Sequence, residues 1–268
     1  MPALIKSAAL KGIEAVPISI EVDVLAGLPS YTVVGLTDKA IQESRERMTA
    51  ALTNLGYKPP RRKTIVSLAP ASLKKEGSLY DVPITIGFLL ASKQIVWPAG
   101  RSAREQRGAG WLIGEVGLDG SIRPVTGVLP ILLAAEQAGV SEVYVPAGNT
   151  AEAAIVANKL TVYAVSSLQE LIGHLSAEGD SLTPLTASNV DADRWNLPDV
   201  DLQDIRGQEH AKRALTIAAA GGHNLLMVGP PGTGKTMLAR ALAGMLPPMT
   251  REEALTVTSL YSIAGKLG

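Results

Sequence analysis

The chain has 268 residues, 46% of them apolar, and its 25 basic side chains equal its 25 acidic ones, so bulk charge selects no partner. It has no cysteine, which excludes disulfides and thiolate metal sites and fits a reducing cytosol. The start is broken by Lys6, Lys11 and Glu14 and no run reaches the roughly 18 apolar residues of a membrane span, so a soluble, cytoplasmic protein is expected.

In chain order, "VPISIEVDV" (16–24) and "SYTVV" (30–34) read as strands, apolar and rich in β-branched residues. "DKAIQESRERMTAAL" (38–52) reads as a helix capped by Thr37 or Asp38. "RKTIVSL" (62–68) follows as a strand, and 80–92 as a helix with Pro83 in its first turn. Residues 101–110 read as a flexible loop and 110–116 as a strand, with "LDGS" turning the chain into "IRPV". Helix 130–138, strand 142–146, helix 150–157, strand 160–165 and helix 167–174 complete an α/β pattern. Residues 176–205 carry seven acidic groups against Arg194 alone and show no periodicity. The expected division is therefore a domain over 1–175, an acidic linker over 176–203 and a nucleotide module over 204–268.

In that module a helix is expected from about Gln208 to Ala220, then the strand "NLLMV" (224–228), then "GPPGTGKT" (229–236). Gly229, Gly234, Lys235 and Thr236 satisfy the phosphate-loop pattern G-x-x-x-x-G-K-[ST], and 235–246 has apolar residues at helical spacing. Strand, glycine-rich turn and helix is the context that motif requires. The expected ATP-binding residues are Gly229, Pro230, Pro231, Gly232, Thr233, Gly234, Lys235, Thr236 and Met237. Lys235 would reach the β and γ phosphates, and Thr236 would offer its hydroxyl to Mg²⁺. The 204–207 turn and the helix after it are placed to cover an adenine.

Other motifs are weaker. His174, His210 and His223 are far apart and lack metal-ligand spacing, and His223 reads as structural. "SLKK" matches S-x-x-K, making Ser72 and Lys75 a minor nucleophile candidate. Residues 39–75 carry nine basic groups against Glu43 and Glu46, either a nucleic-acid footprint or a solvated face.

Residues 112–175, with "IGEVGLDGSIRPVTGVLPILLAAEQAGVSEVYVP", resemble the Lon protease domain. The resemblance implies an α+β, ribosomal-S5-like fold for the first domain. In that alignment Leu129 stands where the catalytic lysine would be, and the serine position falls near Asp81, with Ser78 close by. A leucine cannot take a proton, so the resemblance implies a non-proteolytic relative.

The whole chain resembles the ComM/YifB family of magnesium-chelatase-like AAA+ proteins. The stretches that carry this are "VDVLAGLPSYTVVGLTDKAIQESRERMTAAL", "SLAPASLKKEGSLYDVPITIGFL" and "RGQEHAKRALTIAAAGGHNLLMVGPPGTGKTMLARAL". It implies a bacterial, ring-forming, hexamer-like ATPase acting as a DNA helicase and branch-migration motor in natural transformation. Competing implications are a magnesium-chelatase ATPase subunit, a non-enzymatic interaction module and a Lon-like ATP-dependent protease. After Thr236 the only acidic residues are Glu252 and Glu253, with no apolar strand before them, so neither reads as Walker B. The expectation is a fragment: an AAA+ α/β module without Walker B, sensors or arginine finger, and with no complete catalytic set.

Overall fold

The computed structural model describes residues 2–96, 110–176, 181–187, 200–247 and 249–267. The expected loop at 101–110 lies, apart from Gly110, outside them, as do 177–180 and 188–199 of the expected linker. Two compact units form, one from residues 1–188 with 256–268 and the other from 189–255. Residues 256–268, expected with the nucleotide module, group with the first unit.

The first unit is built on a seven-stranded sheet. Its strands are β1 (Ala3–Lys11), β2 (Glu14–Leu25), β3 (Ser30–Val34), β4 (Lys63–Ala69), β5 (Trp111–Leu112), β8 (Glu142–Pro146) and β9 (Thr161–Val165), in the order β3-β4-β2-β1-β5-β8-β9. β1 with β2 and β2 with β4 are antiparallel; the other four pairs are parallel. The parallel pairs need crossovers, which the intervening helices supply, so the fold is α/β. A separate hairpin joins β6 (Glu115–Val116) to β7 (Ile122–Arg123). The strand expected over 110–116 is thus two pieces. Gly114, at φ +149°, breaks it, and a side chain there would lie 2.9 Å from Ile122.

The core forms where apolar periodicity meets the sheet. α3 (Asp81–Ala91) is buried over its first nine residues, as a helix apolar all round must be. It lies so close to β1 and β2 that a Cβ on Gly87 would be 2.7 Å from Val22. The single helix expected over 38–52 is α1 (Lys39–Gln42) and α2 (Ser44–Asn54), broken at Glu43, with Asp38 capping through the Ile41 amide at 3.0 Å. α4 (Val128–Gln137), α5 (Thr150–Ala154) and α6 (Leu168–Ser176) follow near their expected places. The edge strand β9 is covered by part of the linker, where the Leu185 amide donates to Val162 O at 2.8 Å and the Leu182 amide donates to His174 Nδ1 at 3.0 Å.

In the second unit, α7 (Glu209–Gly221) and α8 (Lys235–Met245) pack around Ile205, Leu215, Leu238 and Ala241. α9 (Arg251–Ile263) was not expected from the sequence. Its start is a reciprocal cap: the Thr250 amide and hydroxyl donate to Glu253 Oε2 at 2.8 and 2.9 Å. Glu253 is thus a capping carboxylate, held below its ordinary pKa by the Thr250 amide and hydroxyl. Ser262, like the rest of the helix from Thr256 on, belongs to the first unit. Its carbonyl accepts from the Gly127 amide at 3.1 Å, and its hydroxyl donates to the Glu152 carboxylate.

Candidate functional site

Residues 223–230 run without regular structure. This corrects the expected strand at 224–228. An apolar run becomes a strand only when a neighbour takes its amides and carbonyls, and among the described residues none pairs with it. Leu226 and Val228 are consequently 87% and 88% exposed. The turn after it keeps the expected form. Gly232 and Gly234 both take positive φ, +81° and +83°, which lets the backbone wrap a small volume before α8 begins at Lys235.

Lys235 sets the geometry of that turn. Its ammonium donates to Gly229 O at 2.8 Å, Pro230 O at 2.7 Å and Thr233 Oγ1 at 3.3 Å. The Thr233 hydroxyl donates to Pro230 O at 3.0 Å. Among the described residues the amides of Gly232, Gly234, Lys235 and Thr236 make no hydrogen bond. A cation and a row of amides at a helix start make an anion cradle. Thr236 and Met237 are exposed beside it. Next to the cradle is a cavity of about 490 Å³ lined by Gln208, His210, Ala211, Ala214 and Met227 among others, mostly apolar and of small-ligand size. The residues present therefore fit a nucleotide: phosphates at the amides, a flat apolar ring in the cavity. His210 is a wall of that cavity. His223, expected as structural ahead of a core strand, is exposed.

The positions that align with a Lon site are arranged for structure. Asp81 is buried in the first turn of α3 and is gripped by Arg47, Nε to Oδ2 at 2.5 Å and Nη2 to Oδ1 at 2.9 Å. The Val116 amide adds a bond at 3.3 Å. Burial pushes the Asp81 carboxyl up, while the guanidinium and the amide pull it down; the two-pronged pairing keeps the charge balanced. Leu129 is fully buried in the first turn of α4, its amide donating to Glu152 Oε2 at 3.0 Å. Ser78 donates its hydroxyl proton to Glu115, which also pairs with Arg123 at 3.5 Å. The sequence did not single out Glu115. The Ser72–Lys75 pair is not brought together: Lys75 is buried and donates to Leu68 O at 2.9 Å and to Pro70 O, and desolvation lowers its pKa. Among the described residues no group of His, Asp or Glu could hold a metal ion.

The basic stretch divides. Arg47 and Lys75 point inward, and Lys39 and Lys74 pair with Glu43 and Glu76. Arg45, Lys58, Arg61, Arg62 and Lys63 are exposed and make no ion pair among the described residues.

Two family models match. One, described as subunit ChlI of Mg-chelatase, covers residues 20–149; the other, magnesium chelatase subunit ChlI, covers 201–268. The chain is 41% identical over 264 residues to competence protein ComM of Haemophilus influenzae, covering 97% of this chain and 50% of that protein. It is 37% identical over 261 residues to the uncharacterized protein YifB of Escherichia coli, covering 97% of this chain and 49% of that one. An archaeal Lon protease of Archaeoglobus fulgidus is 39% identical over 59 residues, 22% of this chain and 10% of that protein. The chain thus spans about half the length of ComM and YifB. Among the described residues no helix is long and apolar enough to cross a membrane.

Proposed function

Because the chain belongs to the ComM/YifB family of magnesium-chelatase-like proteins, we propose that residues 229–237 bind ATP with Mg²⁺ and that the whole protein is a cytoplasmic, ring-forming ATPase that moves DNA, as a branch-migration helicase does. The observation that carries the nucleotide reading is the Lys235 ammonium set over three oxygens beside unused amides and an apolar cavity. Lys235 would exchange those oxygens for phosphate, and Thr236 at the helix start would offer its hydroxyl to Mg²⁺. Bound Mg²⁺ neutralises phosphate charge; this chain's own part is to hold, orient and shield. The exposed cations Lys58, Arg61, Arg62 and Lys63 on the first unit support DNA as the partner. The protease alternative has no supporting geometry, since Leu129 offers no base and Lys75 engages carbonyls.

The test is calorimetric titration of ATP and Mg²⁺ into the chain and into Lys235→Ala. Binding by the first and a loss of tenfold or more in the second is the expected result, since the substitution removes a charge-assisted contact worth about 1.5–3 kcal/mol. Equal binding by both would sink the assignment.

A further inference from the structure

We propose that the turn between β2 and β3 is an apolar wedge, flanked by a stiff cationic arm, that enters DNA between base pairs. This rests on the DNA reading above and names how that contact is made.

The geometry begins at Lys63, the first residue of β4. It is the register partner of Leu25, which ends β2, and of Ser30, which begins β3. Both feet of the turn, residues 26–29, therefore stand beside Lys63, one on each side. The chain reaches Lys63 through Lys58, Pro59, Pro60, Arg61 and Arg62. The apolar turn and the basic arm thus share one end of three adjoining strands.

The arm is stiff. The Lys58 amide donates to Gln94 Oε1 at 2.7 Å, and Gln94 Nε2 donates to Lys58 O at 3.0 Å. Two consecutive prolines then restrict the backbone to extended forms. Its cations carry no ion pair among the described residues, so phosphates meet no internal competitor.

The turn carries one unusual residue. Tips normally carry Gly, Pro, Asn, Asp or Ser, yet Leu28 is 88% exposed, held between Gly27 and Pro29. It adds nothing to the core, and Leu25 beneath it is also exposed. Leucine and proline are among the side chains that wedge between base steps in the minor groove, where flanking cations hold the phosphates. The nearest carboxylates along β2, Asp23 and Glu21, sit opposite Ile65 and Ser67, about 7 and 13 Å down the strand from Leu25. They oppose phosphates on the sheet face and leave the tip as the favourable contact. A second copy of this chain would bring the same cations to the same place and be repelled.

The test uses the chain as it stands, with a duplex carrying 2-aminopurine beside a flexible TA step. Binding is read by anisotropy, unstacking by the rise in 2-aminopurine fluorescence. The wild type is expected to bind and to raise the fluorescence. Leu28→Ala is expected to bind within a few-fold of wild type while losing most of the rise. Arg61→Glu with Arg62→Glu is expected to lose binding by about tenfold or more at low salt, with a shallower salt slope. These are surface positions, and equal thermal midpoints for all three proteins establish that folding is unchanged. Binding by the wild type without a fluorescence rise, or a rise that survives Leu28→Ala, overturns the wedge and leaves the DNA reading standing. No binding by the wild type to any DNA at low salt overturns both.

Discussion

Two apolar runs of similar length meet opposite fates. "TIVSL" in β4 is paired on both sides, by β2 and by β3, and Val66 and Leu68 are sealed from solvent. "NLLMV" at 224–228 has no ladder partner among the described residues, and Leu226 and Val228 stand in solvent. The difference is not propensity, since both runs are apolar enough for a sheet. It is supply: the first unit brings seven strands together, while the described residues of the second unit bring helices and the unpaired run at 223–230. A strand is a property of its neighbours, because its amides and carbonyls need partners outside itself.

If that contrast is right, the two units respond differently to substitution. The largest effect is expected at Arg47→Ala, which strips a buried carboxylate of its partner and should cost the first unit about 3–5 kcal/mol in chemical denaturation. Removing the guanidinium leaves burial as the dominant influence, so the Asp81 pKa rises further in this variant. The deficit against wild type should be full at pH above the variant's raised folded pKa, where Asp81 must ionise unpaired, and shrink as pH falls through it. A deficit independent of pH would mean that the pair contributes only packing.

Next comes Gly87→Val, whose first added carbon would meet Val22 at 2.7 Å; overpacking of this kind costs about 1–3 kcal/mol. An unchanged thermal midpoint would show that α3 can lift off the sheet. Val228→Thr should lie at the other extreme, within about 0.5 kcal/mol by denaturation, because the side chain packs on little. A large loss there would mean that the segment has a partner that the first unit's logic would recognise. The smallest effect is none. Casein digestion and a serine-reactive fluorophosphonate probe should detect no peptidase in the chain, since Ser78 faces Glu115 and Lys75 faces carbonyls. Covalent labelling of Ser78 or Ser72 would overturn that expectation.

Much of the first unit was legible because its signals are local. Pro83 and the apolar run after it announce α3, and Thr37 or Asp38 offered a cap for α1, which Asp38 supplies. β1 was not legible: "ALIKSAALK" is rich in Ala, Ser and Lys, which have weak strand preference. It becomes a strand because β2 folds back on it over nine residue pairs. α9 was missed for a related reason, its buried face being Thr258, Ser259 and Ser262 rather than an apolar stripe. In the phosphate-loop pattern, spacing named Gly229, Gly234, Lys235 and Thr236, yet nothing in it told that Lys235 would turn onto Gly229 O and Pro230 O.

By itself the sequence determined what depends on near neighbours: the phosphate-loop turn, which needs only its glycines and a following helix, and the periodicity of most helices and strands. It also determined that Leu129 offers no base, since a leucine takes no proton in any arrangement. Only the tertiary structure decided which strands find partners and which charges are free. Nine basic residues between 39 and 75 look alike in sequence, but two are drawn inside, two are paired and the rest are left outward or unpaired. That sorting follows from long-range contacts, such as Arg47 with Asp81 and Lys63 between β2 and β3. Coulomb energy and desolvation depend on distance in space, and distance along the chain does not report it.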